Sequence, residues 1–98
     1  MITLKNYIEY QKEAVVSKEI LKTENGTITI FAFDVGQGLS EHTTPLNAFV
    51  QIIEGQADIV IDKVLHIVAE GQAIEFPANK PHSLKATKPF KMVLTMIK

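Results

Sequence analysis

Three histidines, His42, His66 and His82, carry most of this chain's capacity for chemistry near neutral pH. Imidazole is the commonest protein metal ligand, and its ordinary pKa lies close to physiological pH. Cysteine is absent, which removes disulfides, thiolate metal sites and thiol nucleophiles. Glu41 adjoins His42, but neighbours on a strand point to opposite faces, so it is expected as a solvated carboxylate. His66 sits between Leu65 and Ile67, faces away from both, and is expected at a surface or an interface. Met92 and Met96 alternate with Leu94 and are expected as core or pocket lining rather than redox groups. Phe31, Phe33 and Phe49 are expected to serve packing.

All ten basic residues are lysines, and the formal net charge is −1. Lys80, Lys85, Lys88 and Lys91 cluster in sequence; they could attract an anionic ligand, and a solvated surface explains them as well. No basic stripe is present, which argues against nucleic-acid binding. No apolar run approaches the length of a membrane span, and the polar start does not read as a signal peptide, so a cytoplasmic protein is expected. Hydrophobic residues make up 46% and charged residues 21% of 98 positions, a balance suited to a single globular domain over residues 1–98.

The elements that must position the histidines read as strands. A short N-terminal arm containing Leu4, Tyr7 and Ile8 comes first. Strands are then expected over Val15–Leu21, where Lys18 and Glu19 break the alternation, and over Thr27–Asp34, joined at Asn25-Gly26. A Gly-rich bend and a polar stretch lead from Gly36 to Pro45. Further strands are expected over Ala48–Ile53, Ala57–Ile61, Val64–Val68 and Ala73–Phe76, with another opening at His82 and a last over Phe90–Ile97. Turns are expected at Glu54-Gly55, Asp62-Lys63 and Glu70-Gly71. Many short strands at even spacing, without an intervening helix, indicate an antiparallel sandwich or barrel. The expected core is Ile28, Ile30, Val50, Ile52, Ile59, Ile61, Ile74, Leu84 and Leu94.

Two stretches resemble the paired motifs of the cupin superfamily. Against G-x5-H-x-H-x3-E-x6-G the chain places Gly36, His42, Thr44, Ala48 and Gly55. Against G-x5-P-x-G-x2-H-x3-N it places Gly71, Pro77, Asn79, His82 and Ala86. The resemblance runs from about Thr27 to Leu94 and implies an all-β double-stranded β-helix, a jelly-roll barrel with an N-terminal arm. It also implies that His42 and His82 face each other across the barrel mouth. Asn79 stands where the family has Gly, and Asn is the next-best residue for a left-handed backbone. Of the three histidines and one glutamate that hold metal in the family, only His42 and His82 remain. Thr44 and Ala48 replace the others, and Asn47 is a poor substitute.

Two readings of function follow. In the first, the chain binds a small polar or anionic molecule without catalysis. His42, Thr44 and His82 orient it, and Ala48 and Val50 complete the ligand-binding wall. In the second, a metal-dependent enzyme of dioxygenase or isomerase type uses His42 and His82 as metal ligands. Its cofactor would be a divalent transition metal: Zn, Fe, Mn, Ni or Cu. A homodimer is expected in either case, with Ala14–Leu21 at the interface.

Overall fold

A computed structural model describes Met1–Lys98. After one 3₁₀ turn at Leu4–Asn6 the chain forms eight strands. They are β1 (Val15–Thr23), β2 (Gly26–Phe33), β3 (Gly38–His42), β4 (Asn47–Ile61), β5 (Val64–Ala69), β6 (Ala73–Phe76), β7 (His82–Lys85) and β8 (Phe90–Ile97). The spatial order is β1-β2-β8-β4-β7-β3, with β5 and β6 also paired to β4, and every pairing is antiparallel. The sheet curls around its apolar face, giving the jelly-roll barrel that the two motifs imply.

β4 makes the curl. Its first half pairs with β8 and β6, and its second half pairs with β7 and β5. A register slip between Ile52 and Glu54 marks the changeover, and Gly55 sits there at φ 78°. Sequence reading ended one strand at Glu54-Gly55 and began another at Ala57. The strand instead bends without reversing, because a bulge with a left-handed glycine adds a residue and re-aims the chain while pairing resumes beyond it. Gly55 lies opposite Phe90, and a Cβ there would run into the Pro89 carbonyl oxygen.

Other departures from simple alternation have similar causes. β1 carries a register shift between Glu19 and Leu21, just after the broken pattern at Lys18 and Glu19. The β1–β2 loop is Glu24-Asn25, with Thr23 opposite Gly26. Gly26 is already in β2, where a Cβ would collide with the Met96 carbonyl. At the β4–β5 hairpin, Asp62 and Lys63 both take positive φ, 48° and 69°, the pattern of a tight primed turn. β1, which overlaps the Ala14–Leu21 segment expected at a subunit interface, is an edge strand paired only to β2.

The barrel interior is built on Phe33 stacked against Phe90, ring centroids 4.4 Å apart, with Val50, Ile52, Ala57, Ile59, Val68, Phe76, Leu84 and Met92 around them. Of the expected core, Ile30, Val50, Ile52, Ile59 and Leu84 are buried, whereas Ile28, Ile61, Ile74 and Leu94 are half-buried. Phe49, expected to pack, is exposed. A second core lies outside the barrel: Ile8 packs with Ile30, Ala32 and Val93, bordered by Tyr7, Tyr10, Val16, Ile20 and Ile53. The arm is therefore a structural cover on the sheet. Ile8, 1% exposed, is its anchor.

Polar contacts clasp this arm. Lys91, expected in an exposed lysine cluster, is buried. It projects from the outer face of β8, between inward-facing Phe90 and Met92, and so lies under the arm. Its ammonium donates to the Lys5 carbonyl at 2.6 Å, lies 3.6 Å from the Glu54 carboxylate and stands 5.0 Å from the Tyr10 ring centroid. The Tyr10 hydroxyl donates to Glu54 at 2.6 Å. Burial and then the Glu54 carboxylate push the Tyr10 phenol well above its ordinary pKa. The same hydrogen bond, followed by the Lys91 charge, holds Glu54 below the usual carboxylate range against the opposing effect of burial.

Two predictions follow from these contacts. Gly55→Ala combines a left-handed backbone, about 1–2 kcal/mol, with a backbone clash worth about 1–3 kcal/mol. Urea denaturation should show a loss of about 2–5 kcal/mol, and a variant as stable as the parent would contradict the bend. Glu54, held low when folded, contributes stability fully above its unfolded pKa of about 4.3 and loses it as pH falls through the lowered folded value. Thermal unfolding of Glu54→Gln should show a deficit at neutral pH that closes on acidification.

Candidate functional site

The site begins with a pairing. β3 lies against β7, with His42 opposite His82, and a register slip separates this pair from Leu39 opposite Leu84. The slip changes parity, which is how Leu39 and His42 both reach the cavity from odd and even positions. The polar stretch before Pro45 was not read as a strand. β3 is an edge strand carrying one inward apolar residue, Leu39, so its alternation is nearly invisible in sequence.

Two loops fix the rings. His82 opens β7 after the Pro77–Pro81 loop, where Asn79 takes φ 66°, the left-handed conformation expected of it. The Asn79 N–H donates to the Thr44 carbonyl at 2.7 Å, and the Ala78 N–H donates to Asn47 Oδ1 at 3.0 Å. These bonds join the loop before β4 to the loop before β7. They also occupy the side-chain oxygen of Asn47.

The two imidazoles meet edge-on, with centroids 4.2 Å apart and planes at 70°. Nδ1 of His42 lies 2.8 Å from the Ser40 carbonyl oxygen, and Nδ1 of His82 lies 3.2 Å from that of Lys80. A carbonyl oxygen only accepts, so each of these contacts is a hydrogen bond when the ring hydrogen sits on Nδ1. Both Nε2 atoms are left turned toward each other at 3.0 Å. Two lone pairs repel at that distance, whereas a single hydrogen between the nitrogens makes a bond. His82 is 4% exposed and also touches the Phe76 ring, centroids 4.5 Å apart. Burial, and in lesser degree the nearness of His42, pushes the His82 pKa below its ordinary value, while the Lys80 carbonyl works the other way.

The ring pair caps a cavity of about 140 Å³. Thr44 and Ala48 line it with Leu39, Phe76, Leu84, Met92, Leu94 and Met96. Four of the five residues expected at the site, His42, Thr44, Ala48 and His82, thus converge there. Val50 does not. It is fully buried in the barrel core rather than in the cavity wall. Leu39, Phe76 and Leu84 were not foreseen as lining; Phe76, one residue before Pro77, carried the best available signal. Glu41 is exposed, as expected. His66 is half-buried and shares its face with buried Val68, while Leu65 and Ile67 point outward. A larger hollow of about 560 Å³ lies outside the barrel, between the N-terminal arm and Gln51–Ile53 and Glu70–Ala73, and contains no histidine.

The histidine pair partly suits a divalent metal. Ligand nitrogens at about 2.0–2.1 Å from one ion stand about 3 Å apart when cis, and ring orientation through Nδ1–H to a backbone carbonyl is what metal-binding histidines use. The donor set does not suit one. Thr44 and Ala48 occupy the remaining positions, and no group of three histidine or carboxylate side chains converges anywhere in the chain. Two imidazoles fall short of the three protein ligands of ordinary catalytic sites. The residues present do not make a resident metal centre.

The family model of the cupin domain matches residues 29–98. The chain belongs to the cupin family. Among solved cupin-like structures, a conserved protein of unknown function from Streptococcus pyogenes is 35% identical, over 100% of this chain and 86% of that one, with a TM-score of 0.94. A cupin 2 conserved barrel domain protein from Leptotrichia buccalis is also 35% identical, over 99% of this chain, with a TM-score of 0.95. This cupin spans only 47% of that longer chain. A cupin superfamily protein from Desulfitobacterium hafniense, 24% identical over 92% of this chain and 83% of its own, shares the fold with a TM-score of 0.88. No curated protein is similar enough to count as a relative. No helix is long and apolar enough to cross a membrane.

A histidine whose folded pKa is lowered binds its proton less readily than the unfolded chain does. Its contribution to stability is complete above the unfolded pKa of about 6.5 and declines as pH falls from there through the lowered value. Thermal unfolding should therefore show a stability loss beginning in mildly acidic buffer. His82→Asn should flatten that part of the profile, and an unchanged profile would contradict the neutral, buried ring.

Proposed function

We propose that this cupin is a non-catalytic binding protein that takes a small molecule into the cavity beneath His42 and His82. The observation that carries this reading is the distribution of polarity. The cavity wall is apolar except at one end, where two imidazoles and the Thr44 hydroxyl converge. An apolar pocket with a few convergent polar groups is the usual form of a small-molecule site. Apolar burial supplies affinity, and the polar end sets orientation. No carboxylate lines the cavity to act as partner acid or base, and the incomplete donor set supports binding over metal chemistry. Phe76 against His82, and the carbonyl contacts of both Nδ1 atoms, hold the polar end in place without a ligand.

The test is a fragment titration followed by methyl NMR. Binding in the cavity should shift the methyl signals of Met92, Met96 and Leu84 together, and leave Leu65 and Ile67 on the outer face of β5 unmoved. Ala48→Leu, which fills the cavity from β4, should abolish those shifts while the remaining methyl spectrum stays folded. Fragments that perturb only exterior methyls would overturn the reading. So would a stoichiometric transition metal in tag-free protein that disappears in His82→Ala.

A further inference from the structure

Open strand edges are where sheets add to one another, so proteins blunt them with charge, bulges or short length. Four strands here, β1, β3, β5 and β6, each pair with only one other. Three are blunted. β1 carries Lys18, Glu19, Lys22 and a register shift, and β3 carries Glu41 and a register shift. β6 is four residues long and carries Glu75. β5, Val64-Leu65-His66-Ile67-Val68-Ala69, has no lysine, carboxylate or proline and keeps an unbroken register against β4. Its Leu65 and Ile67 are 56% and 59% exposed. We propose that β5 pairs antiparallel with β5 of a second copy of this chain, about a two-fold axis at His66.

The backbone of β5 supplies the donors and acceptors. The two-residue turn at Asp62-Lys63 makes Ile61 and Val64 a hydrogen-bonded pair. The Glu70 N–H donates to the Gly55 carbonyl at 2.9 Å, which gives the same phase from the other end. Residues 64, 66 and 68 therefore bond to β4, while Leu65, Ile67 and Ala69 turn their N–H and C=O groups to the open side. Gln72 takes both groups of Ala69, accepting through Oε1 and donating through its N–H, each at 2.9 Å. Those of Leu65 and Ile67 have no partner within the chain.

The segment reads alike from both ends, and that selects a second copy as the occupant. Val64-Leu65-His66-Ile67-Val68 is symmetric in character about its histidine. Two-fold pairing centred there sets Leu65 opposite the partner's Ile67, and Ile67 opposite the partner's Leu65. Each of these pairs exchanges two N–H···O bonds, so every free group of both residues is satisfied. Their side chains share the outer face and pack across the junction. Val64, also exposed, comes opposite the partner's Val68. The pairing brings no charges together within the strand. Asp62 and Glu70 meet beyond its ends, and each keeps its own lysine, Lys80 at 3.9 Å and Lys5 at 3.1 Å. An isologous contact of this kind closes at two copies. It joins β3, β7, β4 and β5 of both copies into one sheet. The contact is one strand wide, narrower than a standard interface of about 1,200–2,000 Å², so the association is reversible.

Sedimentation and cysteine cross-linking test this together. The parent should be mostly dimeric at roughly 1 mM and monomeric at roughly 1 μM. Leu65→Lys combined with Ile67→Lys changes only exposed side chains. That variant should melt like the parent and stay monomeric throughout. Because the chain has no cysteine, each single-cysteine variant reports one position. His66→Cys should oxidise readily to a covalent dimer, since facing non-hydrogen-bonded residues have Cα atoms about 4.5 Å apart, within the disulfide range of about 4.4–6.8 Å. Leu65→Cys should cross-link poorly to itself, because its own counterpart lies diagonally, about 7–8 Å away. Leu65→Cys mixed with isotopically labelled Ile67→Cys should give the mixed disulfide in excess over either self-disulfide, and this arm does not depend on replacing half-buried His66. A parent that is monomeric at roughly 1 mM, or a dimer that survives both lysines, would overturn the proposal. So would self-cross-linking of Leu65→Cys in preference to the mixed pair, or growth beyond two copies.

Discussion

The structure depends on one strand belonging to two sheets. β4 is 15 residues long and forms ladders with four others, two before its bend and two after. A flat strand of that length would extend one sheet and leave β7 beyond the reach of β8. The bend at Gly55 turns the second half of β4, and with it β7, back over the first. Leu84 of β7 and Met92 of β8 then line the same cavity. The bend is possible because one residue lacks a Cβ where the Pro89–Phe90 backbone passes. Phe90 fills the inside of the corner and stacks on Phe33, so the turning point of the chain lies directly against the core.

The curl leaves the outer face of the β2–β8 region apolar, and the N-terminal arm answers that. Ile8 supplies the burial, while Lys91, Glu54 and Tyr10 supply direction. A lysine buried on the outer face of a strand would be costly alone. Here its charge faces a carboxylate held ionised by a tyrosine, and its hydrogen goes to a backbone carbonyl that the arm itself brings. Only their meeting in space makes the arrangement favourable. This is why Lys91 read as one of a surface cluster: its neighbours in sequence are solvated, and its partners lie on β4 and on residues five to ten.

Much of the fold was legible because strands announce themselves by period and by their ends. The hairpins at Asn25 and Asp62-Lys63, the turn at Gly71 and the left-handed Asn79 all fall where turn chemistry placed them. Misreadings arose where one residue served two purposes. Gly55 looks like a chain reversal and is a bend. Gly26 looks like a turn residue and is a strand residue that lets β8 approach. β3 has too little apolar content to show its alternation, and the arm's role rests on a single isoleucine. At the site, motif spacing located His42, Thr44, Ala48 and His82, since spacing survives even where side chains have changed. Val50 lies outside the cavity lining, since alternation tells which side of a sheet a residue faces, not how deep along the barrel it lies.

The replacements at Thr44 and Ala48 are better understood together than as two losses. A glutamate at position 48 would project into the space that the cavity now occupies, and a second imidazole at position 44 would crowd the ring pair. Ala48 opens the cavity and Thr44 leaves a single hydroxyl at its rim. His42 and His82, with their Nε2 atoms 3.0 Å apart, make the polar end of an apolar chamber. The barrel keeps its geometry because glycine, proline and left-handed asparagine positions fix the backbone independently of what the mouth holds. The frame that presents four donors to a cation in the motifs this chain resembles here presents two imidazoles and one hydroxyl.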